Sequence, residues 1–225
     1  MQGITEYLLD WIYPRRCAFC DGILLRKEIY LCSKCKKMPV PVQEPRCKKC
    51  GKPIEREERE YCHDCTAHPQ NYDSGCGLFL YQGVLKDALM GLKFHERKEY
   101  GEFLGKLMCW YGKEFILRVQ PEVIVPVPIH KKKRQIRGYN QAELLADKIS
   151  SGFSIPLRTD LVLRKKFTKA QKELNRQDRR RNLEQAFYVN SQAGTYEKVL
   201  LVDDIYTTGT TINRVKRLLE EAGAE

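Results

Sequence analysis

The side chains with the clearest chemical potential lie in one stretch of thirteen residues, 199–211, with the sequence VLLVDDIYTTGTT. Its first four residues are aliphatic and predict a buried strand, which ends at two adjacent carboxylates, Asp203 and Asp204. After a short loop and Gly209, a helical pattern begins. Free backbone N–H groups and the positive end of the helix dipole would then point into the loop, as in anion sites. Because paired carboxylates suit sugar hydroxyls, with or without bound Mg²⁺, the stretch predicts a site for a ribose 5-phosphate.

This stretch resembles the phosphoribosyl pyrophosphate (PRPP) signature of type I phosphoribosyltransferases. One position departs from it, since Tyr206 stands where an aliphatic residue is usual. By this resemblance, Asp203 and Asp204 bind the ribose hydroxyls, and Mg²⁺ accompanies the PRPP. The residues implied to hold the 5-phosphate are Thr207, Thr208, Gly209, Thr210 and Thr211. The alternative is an ordinary strand-to-helix loop with a chance pair of aspartates.

Eight of the ten cysteines form a repeat in which two CxxC pairs, 11 residues apart, recur after 30 positions. Two CxxC turns complete a tetrahedral shell of four thiolates, so the repeat predicts two structural zinc ions. Sequential grouping is the simplest, although the spacing leaves crossed grouping open. The predicted ligands are Cys17, Cys20, Cys32 and Cys35 for one ion, and Cys47, Cys50, Cys62 and Cys65 for the other.

Disulfides and iron–sulfur clusters are the alternatives to zinc. A cytosolic setting disfavours disulfides, and ribbon spacing suits iron–sulfur clusters less well. The segment is poor in large apolar residues, so metal binding should supply its folding free energy. Gly22 and Gly51 are expected to allow the tight turns of the knuckles. The remaining cysteines, Cys76 and Cys109, are predicted to be buried packing residues.

Positive charge is concentrated in residues 126–182, which hold 16 basic and 5 acidic side chains, a local excess of +11. Such an excess suits a polyphosphate or a nucleic-acid backbone, and a solvated charged surface is the alternative. The predicted DNA-binding side chains are Lys131, Lys132, Lys133, Arg179, Arg180 and Arg181. The residues implied to contact pyrophosphate, in a loop after a strand at 122–127, are Arg134, Arg137, Asn140 and Gln141.

Three segments are expected to position these groups. Residues 1–14 predict an amphipathic helix, residues 15–68 a double zinc ribbon, and residues 73–225 a phosphoribosyltransferase-like domain. The fold class is therefore α/β, with a Rossmann-like parallel sheet and a small N-terminal cysteine zinc-ribbon module. Strands are predicted at 76–81, 122–127, 157–163, 186–189 and 199–202, and helices at 84–94, 100–118 and from Gln141. Whether a last strand is missing after residue 225 stays open.

Composition limits the class of protein. The chain has 225 residues with 42% hydrophobic and 31% charged side chains, as in soluble globular proteins. No apolar run approaches the ~18 residues that span a bilayer, and acidic residues interrupt the first helix. We therefore expect a cytoplasmic protein with reduced cysteines and no stable membrane insertion.

Four blocks together resemble the ComF/GntX family. They are the cysteine ribbon, VPVPIHKKKRQIRGYNQAELLA at 125–146, TKAQKELNRQDRRRN at 168–182, and the stretch at 199–211. The resemblance implies natural competence, with uptake and processing of transforming single-stranded DNA. It also implies partners among other competence proteins, such as a DNA helicase.

Two classes of function follow. The first is a PRPP- and zinc-binding accessory protein that handles single-stranded DNA. The second is a true phosphoribosyltransferase that moves ribose 5-phosphate from PRPP to an unidentified acceptor. The sequence offers a donor site without a recognisable acceptor pocket, which favours the first. No catalytic side chain is assigned, because the transfer needs no side-chain nucleophile.

Overall fold

The computed structural model describes residues 14–35, 39–164, 186–190 and 196–223. The predicted N-terminal helix at 1–14 lies almost wholly outside these ranges, as do Arg179, Arg180 and Arg181. Six helices and four strands occur in the described ranges. The helices are α1 His63–Ala67, α2 Gly83–Phe94, α3 Tyr100–Val119, α4 Lys131–Arg137, α5 Gln141–Phe153 and α6 Thr210–Glu221. The strands are β1 Val123–Pro126, β2 Val162–Arg164, β3 Phe187–Val189 and β4 Val199–Val202.

A parallel sheet forms the centre of the larger domain. Strand β1 pairs with β4 in parallel, from Val123 beside Val199 to Pro126 beside Val202. On its other side, β1 forms a parallel bridge from Ile124 to Leu157. Helices cover both faces of this sheet. Ile124 of β1 packs with α2, α3 and α5, while Val123 and Val125 pack with α6. Both faces of the strands are apolar for that reason, and the predicted parallel α/β architecture is confirmed.

Two predicted strands differ from the observed structure. The segment at 157–163 is divided, because Leu157 bridges to β1 whereas β2 pairs antiparallel with β3. The segment at 76–81 contains an antiparallel bridge from Phe79 to Pro41 in place of a strand of the main sheet. The strand predicted at 76–81 is therefore wrong, and the one at 157–163 is correct only at its end, because a local sequence pattern carries no information on which partner a segment pairs with.

A short helix, α4, occupies the segment that was predicted to be a basic loop. The His130 side chain accepts a hydrogen bond from the Lys132 backbone N–H at 3.2 Å, and Gly138 ends the helix in a left-handed conformation. Helix α5 begins as predicted, with the Asn140 side chain accepting from the Ala142 N–H. Of the described helices, none is long and apolar enough to cross a bilayer.

The cysteines lie in two compact groups with sequential pairing. Cys17, Cys20, Cys32 and Cys35 form one group, and Cys47, Cys50, Cys62 and Cys65 the other, with all sulfurs of a group within 4.8 Å of one another. Two sulfur pairs are 3.6 Å apart. Tetrahedral Zn²⁺ with Zn–S bonds of about 2.3 Å sets its sulfurs about 3.8 Å apart, so both groups fit the ion.

Backbone amides favour the thiolate form of one cysteine in the second group. Burial disfavours the thiolate of Cys47, but N–H groups of Cys50, Cys62 and Lys49 point at its sulfur and lower its pKa to about 6. The knuckle turns differ from the prediction in one respect. Gly51 adopts the left-handed conformation, but in the first ribbon Asp21, and not Gly22, does so.

The first ribbon packs against the start of α3. Asp21 pairs with Arg97, with 2.8 Å between Oδ1 and Nε, and it also accepts a hydrogen bond from Tyr100. Phe103 contacts the rings of Phe19 and Tyr30, each with ring centroids 5.4 Å away. This ribbon is thus anchored on helix α3.

Purified protein is expected to contain two zinc ions per chain. Cys47→Ser should release one and expose residues 45–66 to protease, because the cysteines themselves form most of the local core. Cys17→Ser is the matched variant and should release the other ion. Zinc analysis by atomic absorption, with limited proteolysis, measures both effects. Unchanged zinc content in Cys47→Ser would exclude the second site.

Candidate functional site

The candidate site is the loop between β4 and α6. Strand β4 ends at Val202, and the next two residues are the carboxylates predicted from the sequence. The loop then turns through Gly209, which has φ +78° and directly precedes α6. Thr207, Thr208 and Thr210 are exposed, and Thr211 is half-buried. The elements and their order are therefore those that the sequence predicted.

The N-terminus of α6 is suited to an anion. The first N–H groups of a helix lack partners within the helix, and no side chain caps this one. The Thr208 and Thr210 hydroxyls lie 2.8 Å apart at the same position. A phosphate here would meet backbone N–H groups, hydroxyl groups and the positive end of the helix dipole.

The two carboxylates have different surroundings. Asp203 accepts a hydrogen bond from the Asp204 N–H at 2.8 Å. Burial, and then repulsion by Asp204, raise the pKa of Asp203 well above its usual range. Asp204 instead pairs with Lys93, with 2.5 Å between Oδ2 and Nζ, and its side chain is only 11% exposed. The site thus holds a cation beside its acidic pair.

Several cations surround this acidic pair. Lys133 is an exposed residue whose ammonium is partly desolvated and lies within electrostatic range of Arg137, Arg164 and Lys93. Desolvation first, and then these three charges, lower the pKa of Lys133, while Asp204 opposes the shift. Such a group of cations suits an oligophosphate more than a single carboxylate.

Two of the residues predicted to contact pyrophosphate have buried side chains. Asn140 is 4% exposed and donates to the Val127 carbonyl at 3.0 Å. Gln141 is 2% exposed, accepts from Arg137 at 2.8 Å and donates to the Leu92 carbonyl at 3.4 Å. Arg134 makes a bidentate pair with Glu143 at 2.7 and 3.3 Å. A direct ligand role for these residues stays a prediction.

The RGYNQ segment at 137–141 therefore connects the parts of the site. The Tyr139 hydroxyl donates to the same Leu92 carbonyl at 2.7 Å. Since Lys93 follows Leu92, these bonds fix the end of α2 from which Lys93 reaches Asp204. Sequence reasoning missed Lys93, and the only sequence signal was a lysine at the end of an amphipathic helix.

The predicted DNA-binding lysines lie on α4. Lys131 and Lys132 are exposed there, next to Ile136, which is 77% exposed. Phe94, 60% exposed, lies beside this helix with the Arg137 guanidinium 5.3 Å from its ring centre. The arrangement combines cations with exposed apolar groups.

An apolar cleft of about 310 Å³ adjoins the acidic pair. Its lining includes Asp203, Asp204 and Tyr206 from the candidate site and Lys52 from the second ribbon. The apolar lining includes Leu78, Leu80, Leu85, Leu89, Leu104 and Met108. The sequence had offered no sign of such a cleft, because its walls come from distant segments.

Known domain families match both parts of the chain. Residues 8–66 match a family described as "Double zinc ribbon domain", and residues 140–225 match "Phosphoribosyl transferase domain". The two four-cysteine groups fit the zinc sites of such a ribbon.

Similar proteins cover nearly the whole chain. Competence protein F of Haemophilus influenzae is 33% identical over 215 residues, 93% of each chain. Competence protein ComFC of Streptococcus pneumoniae is 34% identical over 92% of this chain and 89% of its own. DNA utilization protein YhgH of Escherichia coli K12 is 27% identical over 94% and 93%. With this similarity and this pairing of domains, the chain belongs to the ComF/GntX family.

Proposed function

We propose that this protein binds PRPP at the β4–α6 loop and assists the handling of single-stranded DNA in natural competence. One observation carries the PRPP assignment: a pair of carboxylates at a strand end lies directly before exposed threonines and an uncapped helix N-terminus. Asp203 and Asp204 bind the ribose hydroxyls. Thr207, Thr208, Gly209, Thr210 and Thr211 hold the 5-phosphate.

The pyrophosphate of PRPP lies toward the cations. Lys93 pairs with Asp204, Lys133 lies within electrostatic range of Asp204 and of Arg137, and Arg164 lies within electrostatic range of both Lys133 and Asp203. Mg²⁺ carried by PRPP would neutralise part of the pyrophosphate charge and is suited to the carboxylate pair. Lys93 then exchanges its bond to Asp204 for the ligand. Arg134, Asn140 and Gln141 act through the bonds that hold α4, α5 and the end of α2.

Single-stranded DNA is proposed to bind along α4. Lys131 and Lys132 provide phosphate contacts, and Phe94 and Ile136 provide apolar surface for bases. The relatives named for competence and for DNA utilization support this assignment. It fits a cytoplasmic protein that works beside other competence proteins, such as a DNA helicase, with zinc in a structural role.

A phosphoribosyltransferase reaction is the second candidate, and the apolar cleft beside Asp203 and Asp204 favours it. In that reaction, the bond from C1 of the ribose to pyrophosphate breaks and pyrophosphate leaves with the bonding electrons. A nucleophilic atom of the acceptor forms the new bond to C1 and gives up its proton. The cations around Asp204 would stabilise the departing pyrophosphate.

Asp204→Asn should weaken PRPP binding by roughly 10- to 100-fold, because a charge-assisted hydrogen bond contributes about 1.5–3 kcal/mol. Isothermal titration calorimetry with PRPP and Mg²⁺ measures the change. Asp160→Asn is the matched control. Asp160 pairs with Arg158, and Arg158 also bonds Tyr196, which precedes β4 at the end of the strand opposite to the candidate loop. Equal affinity of Asp204→Asn and the wild type would overturn the assignment of this loop.

Binding to single-stranded DNA should fall steeply with salt, by about 0.7 log units per log unit of salt for each phosphate neutralised. The double variant Lys131→Ala/Lys132→Ala, and the triple variant Arg179→Ala/Arg180→Ala/Arg181→Ala, should each flatten this slope without loss of zinc. Fluorescence anisotropy with a labelled oligonucleotide measures it, and Lys113→Ala on α3 is the control. No binding by the wild type at low salt would exclude the DNA role.

The transfer reaction is tested by release of pyrophosphate from PRPP in the presence of amines and nucleobases. Release that depends on one acceptor, and that is lost in Lys93→Ala, would establish a transferase. Release no faster than in buffer across the whole panel would exclude the reaction for those acceptors and leave PRPP binding unaffected.

A further inference from the structure

Tyr206, the residue that departs from the PRPP signature, connects the candidate PRPP loop to the second zinc ribbon. Its hydroxyl lies 2.7 Å from the hydroxyl of Tyr72, and the two rings meet edge to face with centroids 6.5 Å apart. Lys52 of the ribbon holds its ammonium 5.3 Å from the centre of the Tyr206 ring. The loop therefore contacts the ribbon through a ring, a hydrogen bond and a cation.

The four cysteines of the second group belong to the cluster on which Tyr206 packs. Together with buried Tyr72 they make one apolar cluster, against which Tyr206 and Ile212 pack. Ile212 lies in the first turn of α6. The metal group, the loop and the helix N-terminus thus share a single small core.

A second set of contacts holds the turn at Gly209. Buried Gln70 donates to the Thr208 carbonyl at 3.5 Å, and its Oε1 accepts from the Asn213 side chain at 2.7 Å. Asn213 in turn accepts from the backbone N–H of Asn71 at 2.9 Å. A Cβ at Gly209 would lie only 2.2 Å from the Gln70 oxygen, so Gln70, which follows the second ribbon, packs directly against this turn.

We infer that zinc occupancy of the second ribbon controls PRPP affinity, with Tyr206, Tyr72 and Gln70 as positioning residues. This inference rests on the proposed PRPP site. Without its ion the second ribbon has no other core to hold residues 70–72 in place, since its core consists largely of the ligand cysteines. PRPP would then have to order the loop itself, and the cost of ordering lowers its affinity.

The coupling is specific to one of the two ribbons. The first ribbon packs on Arg97, Tyr100 and Phe103 at the start of α3, whereas the second packs on Tyr206 and Ile212. Loss of the first ion should therefore leave the PRPP loop supported. Because linkage is reciprocal, PRPP must also increase the affinity of the second ribbon for zinc by the same factor.

Calorimetry of PRPP binding to full-length variants tests the inference. Cys47→Ser should bind PRPP about 5- to 150-fold more weakly, the usual range of coupling between two sites, while Cys17→Ser should bind like the wild type. Tyr206→Leu keeps an apolar residue but removes the ring and the hydroxyl. In a Tyr206→Leu background, Cys47→Ser should cause a clearly smaller loss, because part of the coupling is already absent.

A measurement on the wild type covers the case in which Cys47→Ser fails to fold. A chelator that forms a coloured zinc complex and does not modify cysteine thiols should extract both ions. Saturating PRPP should slow the release of one of them. Tyr206→Leu, fully loaded with zinc, should lose that protection. A merely structural tyrosine would leave zinc release insensitive to PRPP.

The outcomes separate this inference from the proposed function. Wild-type protein that fails to bind PRPP overturns both. Wild-type protein that binds PRPP, with unchanged affinity in folded Cys47→Ser or equal zinc release with and without PRPP, overturns only the coupling.

Discussion

The structure around the candidate site depends on the tight packing of the Gln70 side chain against Gly209, where an added Cβ would lie 2.2 Å from the Gln70 oxygen. Gly209 meets the two demands at this turn, a left-handed backbone and no side chain. Because Gln70 and Tyr72 follow directly after the second ribbon, this contact joins a metal-dependent module to the loop at the end of β4. The ribbon and the phosphoribosyltransferase-like domain are therefore packed as one unit at the candidate site.

A second constraint operates on the opposite side of the acidic pair. Tyr139 and Gln141 both bond the Leu92 carbonyl, and the residue after Leu92 is the lysine that neutralises Asp204. The basic helix α4 immediately precedes this segment and holds Lys133 within electrostatic range of the same carboxylate. The groups proposed to bind ribose, phosphate and pyrophosphate thus come from three parts of the chain that meet where β4 ends.

Local patterns were sufficient for much of the fold. The aliphatic run at 199–202, the start of α5 at Gln141 and the onset of α6 at Thr210 each depend on neighbours within a few residues, and all were predicted correctly. Pairing across the chain was not predictable in this way. Tyr72 and Tyr206 are 134 residues apart, and nothing local indicates that they meet. Lys93 was missed for the same reason, and Gly22 was assigned a turn that Asp21 makes.

The central claim is that the β4–α6 loop binds PRPP, and a crystal structure with PRPP and Mg²⁺ tests it most directly. The account predicts the 5-phosphate on the backbone N–H groups of residues 207–211 and the ribose hydroxyls on Asp203 and Asp204. It also predicts that Lys93 turns from Asp204 toward the pyrophosphate. PRPP bound elsewhere, with this loop empty and the Lys93–Asp204 pair intact, would contradict it.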